Sequence, residues 1–179
     1  MAIVADTKDW TWVLERRCTE CGFDSTTVDA RDVAAMVRAQ GEAWAGILAE
    51  RDLAWLRTPP ADDRWSPLEY ACHVRDVLRL ADRRVAIMLT DDDARFANWD
   101  QDATALDDAY DTQDPPAVAA ELRAAASDLA RRLDGVGEGA WERSGARSDG
   151  ARFTVASFAR YVIHDPLHHL HDVGAPGRG

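Results

Sequence analysis

No stretch of this sequence stays apolar long enough to cross a bilayer, and the opening Met-Ala-Ile-Val-Ala-Asp-Thr-Lys-Asp-Trp lacks the basic start and apolar run of a secretory signal. A cytoplasmic protein without a membrane span is therefore expected. Positive charge is in deficit: 21 Lys and Arg stand against 32 Asp and Glu, a net charge of -11 that repels phosphate backbones and anionic lipid. Neither nucleic acid nor a membrane surface is an expected partner. Cysteine is scarce, and Cys18, Cys21 and Cys72 cannot close a disulfide framework, which suits a reducing compartment. Strand-like alternation is nearly absent. The exception is Gly145 to Phe153, where Asp149-Gly150 can turn a short hairpin.

What the sequence does have is apolar residues at helical spacing. Val33, Met36, Val37, Trp44, Ile47, Leu48 and Trp55 recur at three, four and seven, which predicts a first helix from about Asp29 to Trp55, broken by Pro59-Pro60. Ser66-Pro67-Leu68-Glu69 combines a cap, an early proline and a capping box, and predicts a second helix to about Thr90. Asp91 to Asp114 reads mostly as a long acidic connection pinned by Phe96, Trp99, Leu106 and Tyr110, with room for a short helical piece and no EF-hand spacing. Asp114-Pro115-Pro116 opens a third helix with Val118, Leu122, Ala125, Leu129 and Leu133 as its buried stripe, ending near Gly135. A fourth starts at Phe153-Thr154 and ends at Gly174. The class expected is all-α: a four-helix bundle over residues 28–174, an N-terminal extension or cap over 1–27 and a tail at 175–179. A length of 179 residues fits one core.

Four of the five histidines sit in the last helix, within His164-Asp165-Pro166-Leu167-His168-His169-Leu170-His171-Asp172. Residues four apart lie one turn above each other, so His164 and His168 can aim at one point, as zinc-binding helices do. Pro166 between them removes a helical hydrogen bond and should bend the helix. His73, inside the second helix and flanked by apolar Ala71 and Val74, is the candidate third ligand, which a bundle can bring opposite the pair. The plain alternative is a surface pair and a hydrogen-bonded core histidine.

The segments Trp65-Ser66-Pro67-Leu68-Glu69-Tyr70-Ala71-Cys72-His73-Val74-Arg75-Asp76 and Phe153-Thr154-Val155 through Tyr161-Val162-Ile163-His164 to Val173 resemble the DinB-like superfamily of metal-binding four-helix bundles. That superfamily includes mycothiol-dependent maleylpyruvate isomerases and related bacterial thiol transferases. The resemblance implies one histidine from the second helix and an H-x-x-x-H pair from the last, here His73, His164 and His168. It implies an open site for a divalent metal, zinc or nickel first, ferrous iron or manganese as alternatives. It also implies an enzyme of the thiol transferase or isomerase kind, in which the metal activates a low-molecular-weight thiol such as mycothiol for attack on an electrophilic substrate. The Ala-, Arg- and Asp-rich composition suits an actinobacterial source, where mycothiol is the available thiol. A non-catalytic metal or small-molecule binding protein is the alternative from another class, and a metal-dependent hydrolase the third. A homodimer is an open expectation.

Around that triad, Asp76 and Asp172 follow His73 and His168 by about one turn and are candidates to orient imidazoles, with a solvated surface role preferred for Asp172. His171 is a candidate to border the site, and His169 is expected to point away from the His164 and His168 face. Cys18-Thr-Glu-Cys21 is half of a zinc knuckle with no second cysteine pair, so packing or a labile disulfide is the preferred reading. Cys72 points about 100° from His73 on a helix and reads as a small buried hydrophobe.

Overall fold

A computed structural model describes residues 10–174; residues 1–9 of the expected cap and the expected tail at 175–179 lie outside the described residues. A 3-10 turn at Trp10–Leu14 and two more at Ser25–Thr27 and Ala30–Asp32 lead into α1, Val33–Glu50. Helix α1 is shorter than its periodicity suggested. Arg51 turns extended and Asp52 caps a separate short α2, Leu53–Leu56, by accepting from the Trp55 amide at 2.8 Å. Helix α3 is Pro67–Thr90, with the expected Ser66 and Glu69 capping box in place.

The acidic connection carries a short helix, α4, Gln101–Asp107, and beyond the expectation a strand β1, Ala94–Phe96, and a 3-10 turn at Tyr110–Thr112. Helix α5 is Pro115–Asp134 behind its Asp114 cap. Strands β2, Ser144–Arg147, and β3, Arg152–Thr154, form the anticipated hairpin, with Gly150 at φ +99 in the turn. Helix α6, Val155–Asp172, starts on a Thr154 and Ser157 capping box and runs unbroken through Pro166. The proline thus removes one amide without ending the helix.

The molecule is mostly helical, and its core is a bundle of α1, α3, α5 and α6. Helices α1 and α3 each pack on α5 and α6. The interior includes Trp44, Leu68, Leu78, Met88, Leu122, Leu129, Phe158 and Ile163, all essentially inaccessible to water. The sheet, in order β1-β2-β3, is a small patch in which β1 runs parallel to β2. Among the described residues no helix is long and apolar enough to cross a membrane.

Two features of this packing position the site. Gly41 of α1 lets α5 come close, since a Cβ there would lie 2.6 Å from that of Ala126. One turn on, the buried Trp44 indole donates to the Pro166 carbonyl at 3.1 Å and fixes α6 at the turn carrying most of the histidines. The N-terminal segment packs on the same helix, with Val13, Cys18 and Ser25 buried.

Candidate metal centre

His73 lies in the second turn of α3, fixed by the Ser66 cap below it. Its ring is 1% exposed, stacked on Trp99 with centroids 5.4 Å apart and met edge-on by Trp65. Its Nε2 stands 3.2 Å from Oδ2 of Asp165 on α6. His169, one turn along α6, places Nε2 3.6 Å from the same oxygen. A donor atom from each of His73, Asp165 and His169 falls within 4.8 Å of the others. Donors around one ion at bond lengths near 2.1 Å are separated by about 3.0–3.4 Å, so small shifts would seat a cation here. The fit is supported by a buried atom left without a partner, Asp165 Oδ1.

Charge behaves as a cation site requires. Burial raises the Asp165 pKa, but His73 and His169 outweigh it and hold the carboxyl well below the usual range. Burial works against charge on His169, yet Asp165 and Asp172 prevail and lift its pKa to about 9, so that without metal a proton there balances the acid. Asp172 accepts from His169 Nδ1 at 2.8 Å. That bond aims Nε2 at Asp165, the orienting contact that metal-bound imidazoles typically have.

His73, His164 and His168 of the expected triad all line one cleft. His164 and His168 do come together, with ring centroids 5.0 Å apart, but no donor set among the described residues joins His73 to them. Instead their partners are Cys18 and Cys21, each of the four offering a donor within 4.8 Å of the others. Burial, then the neighbouring His168, lowers the His164 pKa to about 4; burial also lowers that of His168, so both rings are neutral near pH 7. Burial lifts the Cys21 thiol to about 11.

Other placements differ from the sequence reading for clear reasons. His169 does face away from His164 and His168, and by doing so it faces His73. Asp172 is not solvated: its side chain is 2% exposed and paired with Arg64 as well as His169. Asp76 orients no imidazole, being held by Arg75, Arg79 and the Tyr110 hydroxyl. His171 is exposed at the end of α6. Cys72 is buried as expected, and burial pushes its thiol to about 12. Asp165 and His169 repeat the i,i+4 spacing of His164 and His168, a signal that could have marked Asp165 as a candidate donor beside His169.

Beside this centre a cleft of 630 Å³ runs between α3 and α6, with His73, Asp165 and His169 on its wall and Trp99 over His73. Arg84, also on the wall, lies eleven residues from His73, about 16 Å along α3. Arg84 is 7% exposed, donates to the Ala97 carbonyl at 2.7 Å, leaves Nε without a partner and has no carboxylate partner among the described residues. Burial, then Arg147, lowers its pKa to about 10, which leaves it cationic at pH 7.

The sequence model of the DinB superfamily matches residues 35–173 of the chain. Among solved structures the fold is similar to that of YfiT from Bacillus subtilis, at a TM-score of 0.63 and 18% identity, covering 95% of this chain and 89% of that one. YfiT is described as a probable metal-dependent hydrolase with an unusual four-helix bundle topology. No curated protein matches the chain.

Proposed function

Since the chain belongs to the DinB superfamily and, among the groups lining its cleft, brings the imidazoles of His73 and His169 together with the Asp165 carboxylate, we propose that it is a metal-dependent hydrolase acting on a small anionic substrate. The observation that carries this reading is Asp165 in the donor set. Two histidines with one carboxylate form the protein ligands of many hydrolytic zinc sites, leaving coordination positions open. A divalent cation there, whether zinc, nickel or ferrous iron, would supply the Lewis acidity that brings a water proton into the neutral range. YfiT, described as a probable metal-dependent hydrolase, is in keeping with this.

The chain's own residues do the positioning. Asp172 holds the His169 tautomer, and the Trp99 and Trp65 rings shield His73 from bulk water. Arg84 is a buried cation over the Phe96 ring with no carboxylate in ion-pair contact among the described residues, Asp149 acting on it only from a distance, so an anionic ligand would be favoured beside it. A carboxylate or phosphate on the substrate fits that role. The second reading keeps the site and changes the nucleophile to an external thiol of the mycothiol type, as the sequence resemblance implies. The cleft wall contains no cysteine, so such a thiol would have to be supplied in trans.

The test loads metal-free protein with zinc, nickel, ferrous iron or manganese and offers ester and amide substrates with and without a carboxylate, then thiols with electrophiles. Hydrolysis that requires metal, favours the carboxylate and disappears in Asp165→Asn is expected. Arg84→Met should raise KM for the carboxylate substrates about tenfold or more, the effect of losing one charged hydrogen bond of about 1.5–3 kcal/mol. Metal-dependent consumption of thiol without hydrolysis would replace the hydrolase with the transferase. No turnover of either kind would leave a metal-binding protein.

A further inference from the structure

A second donor cluster, Cys18, Cys21, His164 and His168, adjoins the cleft through its two histidines. Cys18 and Cys21 come from a tight loop in the N-terminal segment, where the Gly22 amide donates to the Cys18 carbonyl at 3.0 Å and the Cys18 amide donates to the Phe23 carbonyl at 2.8 Å. Gly22, at φ +78, supplies the left-handed residue that closes the loop. His164 and His168 meet it from α6. Cys18 Sγ lies 3.6 Å from His168 Nδ1, across 150 residues of sequence. A sulfur and a nitrogen on adjacent corners of a tetrahedral zinc site are about 3.6 Å apart, given bonds near 2.3 and 2.05 Å.

A second observation points to a ligand. His164 is 4% exposed and its Nε2 is buried with no hydrogen-bond partner. His168, equally buried, turns its other nitrogen, Nε2, toward Asp172 at 3.7 Å and Glu20 at 3.6 Å, carboxylates that can hold the ring once Nδ1 is a ligand. The rings of Trp10 and Phe23 pack on these histidines, with Trp10 centroids 5.6 and 5.0 Å away and Phe23 5.9 Å from His164. Four protein donors suffice to fill a tetrahedral coordination sphere, although His164 and His168 also border the cleft.

We propose that Cys18, Cys21, His164 and His168 hold one zinc ion in a closed tetrahedral site, distinct from the open His73, Asp165 and His169 centre, and that this ion fastens the N-terminal segment to α6. The Cys-x2-Cys and His-x3-His spacings are those of structural zinc. The consequence is architectural: Asp165 and His169 each follow a zinc ligand by one residue, so fixing the rotation of α6 through His164 and His168 also fixes the face turned toward His73.

The test uses the full chain, zinc-saturated and then exchanged into cobalt. Zinc analysis is expected to give two ions per chain, with one lost in Cys18→Ser/Cys21→Ser and the other in His73→Ala. Cobalt-loaded protein should show a thiolate-to-metal charge-transfer band that survives in His73→Ala and is missing from the double-cysteine variant. So that poor folding of the latter does not decide the outcome, the unmodified protein supplies an independent reading. Zinc should slow alkylation of Cys18 and Cys21 at least tenfold, and its removal should speed hydrogen exchange over residues 10–27 more than in α5. The proposal is overturned if the cobalt protein has no such band, if zinc gives the two cysteines no protection, or if they are joined as a disulfide after purification under reductant.

Discussion

Replacing Gly41 by alanine sets two effects of opposite sign against each other. Within an α-helix the change should add about 1 kcal/mol, because glycine loses more backbone freedom than alanine on folding. The new methyl, however, would sit 2.6 Å from the Ala126 Cβ, whereas carbon atoms at rest stand about 3.5–4.0 Å apart. Neither atom is at the end of a flexible chain, so α1 and α5 must separate by roughly 1 Å, and overpacking of that kind costs about 1–3 kcal/mol. The clash wins, with net destabilisation of about 1 kcal/mol. Ala126→Gly should destabilise by a similar amount through helix propensity alone. The double variant moves the methyl from α5 to α1 and should return near the parent, giving a coupling of about 2 kcal/mol in a double-mutant cycle measured by urea unfolding. Metal affinity at the open centre should fall in Gly41→Ala, since Trp44 one turn away carries the hydrogen bond to Pro166. A more stable Gly41→Ala, or additive single changes, would refute the close approach.

Asp172→Asn keeps the shape but weakens the hold on His169 Nδ1; metal affinity should drop about 10–100-fold in a chelator competition with helicity retained, the usual effect of losing such a partner. Tyr110→Phe removes a 2.6 Å hydrogen bond to Asp76 and should cost about 2 kcal/mol in denaturant unfolding, while metal affinity stays unchanged because Asp76 serves Arg75 and Arg79. Metal-free protein should be most stable near pH 6.5, as read by the denaturant midpoint from pH 4 to 9. Below that value the unfolded chain takes up protons that folded His164, with a pKa of about 4, refuses, so stability falls as pH drops from 6.5 toward 4. Above it the proton held by folded His169, with a pKa of about 9, is lost, so stability falls again as pH rises through 9. Each limb amounts to about 3 kcal/mol at 1.36 kcal/mol per pKa unit, and a midpoint rising steadily across the range would contradict the assignment.

The long helices were legible because their signals are local. Ser66 with Glu69, Asp114 before two prolines, and Thr154 before an apolar stripe each declare a helix start within four residues. Strand β1 declares nothing of the kind: Ala94–Phe96 is three residues long and exists by pairing in parallel with Ser144–Arg147 fifty residues away. The histidine cluster was visible as a metal feature, yet its division was not. His164 with His168, and Asp165 with His169, have the same spacing and differ by about 100° around α6. Choosing between them requires the rotation of that helix about its axis, which is settled by Trp44 from α1 and by the N-terminal segment. Cys18 and Cys21 looked like half a site because their remaining partners lie 143 or more residues later in the chain.

An anomalous-difference map from crystals of zinc-loaded protein, collected on either side of the zinc edge, measures where the ions sit. The account predicts a peak within bonding distance of His73 Nε2, the Asp165 carboxylate and His169 Nε2, facing the cleft. Density that instead joins His73 to His164 and His168, or no peak beside Asp165 at saturating zinc, would contradict it.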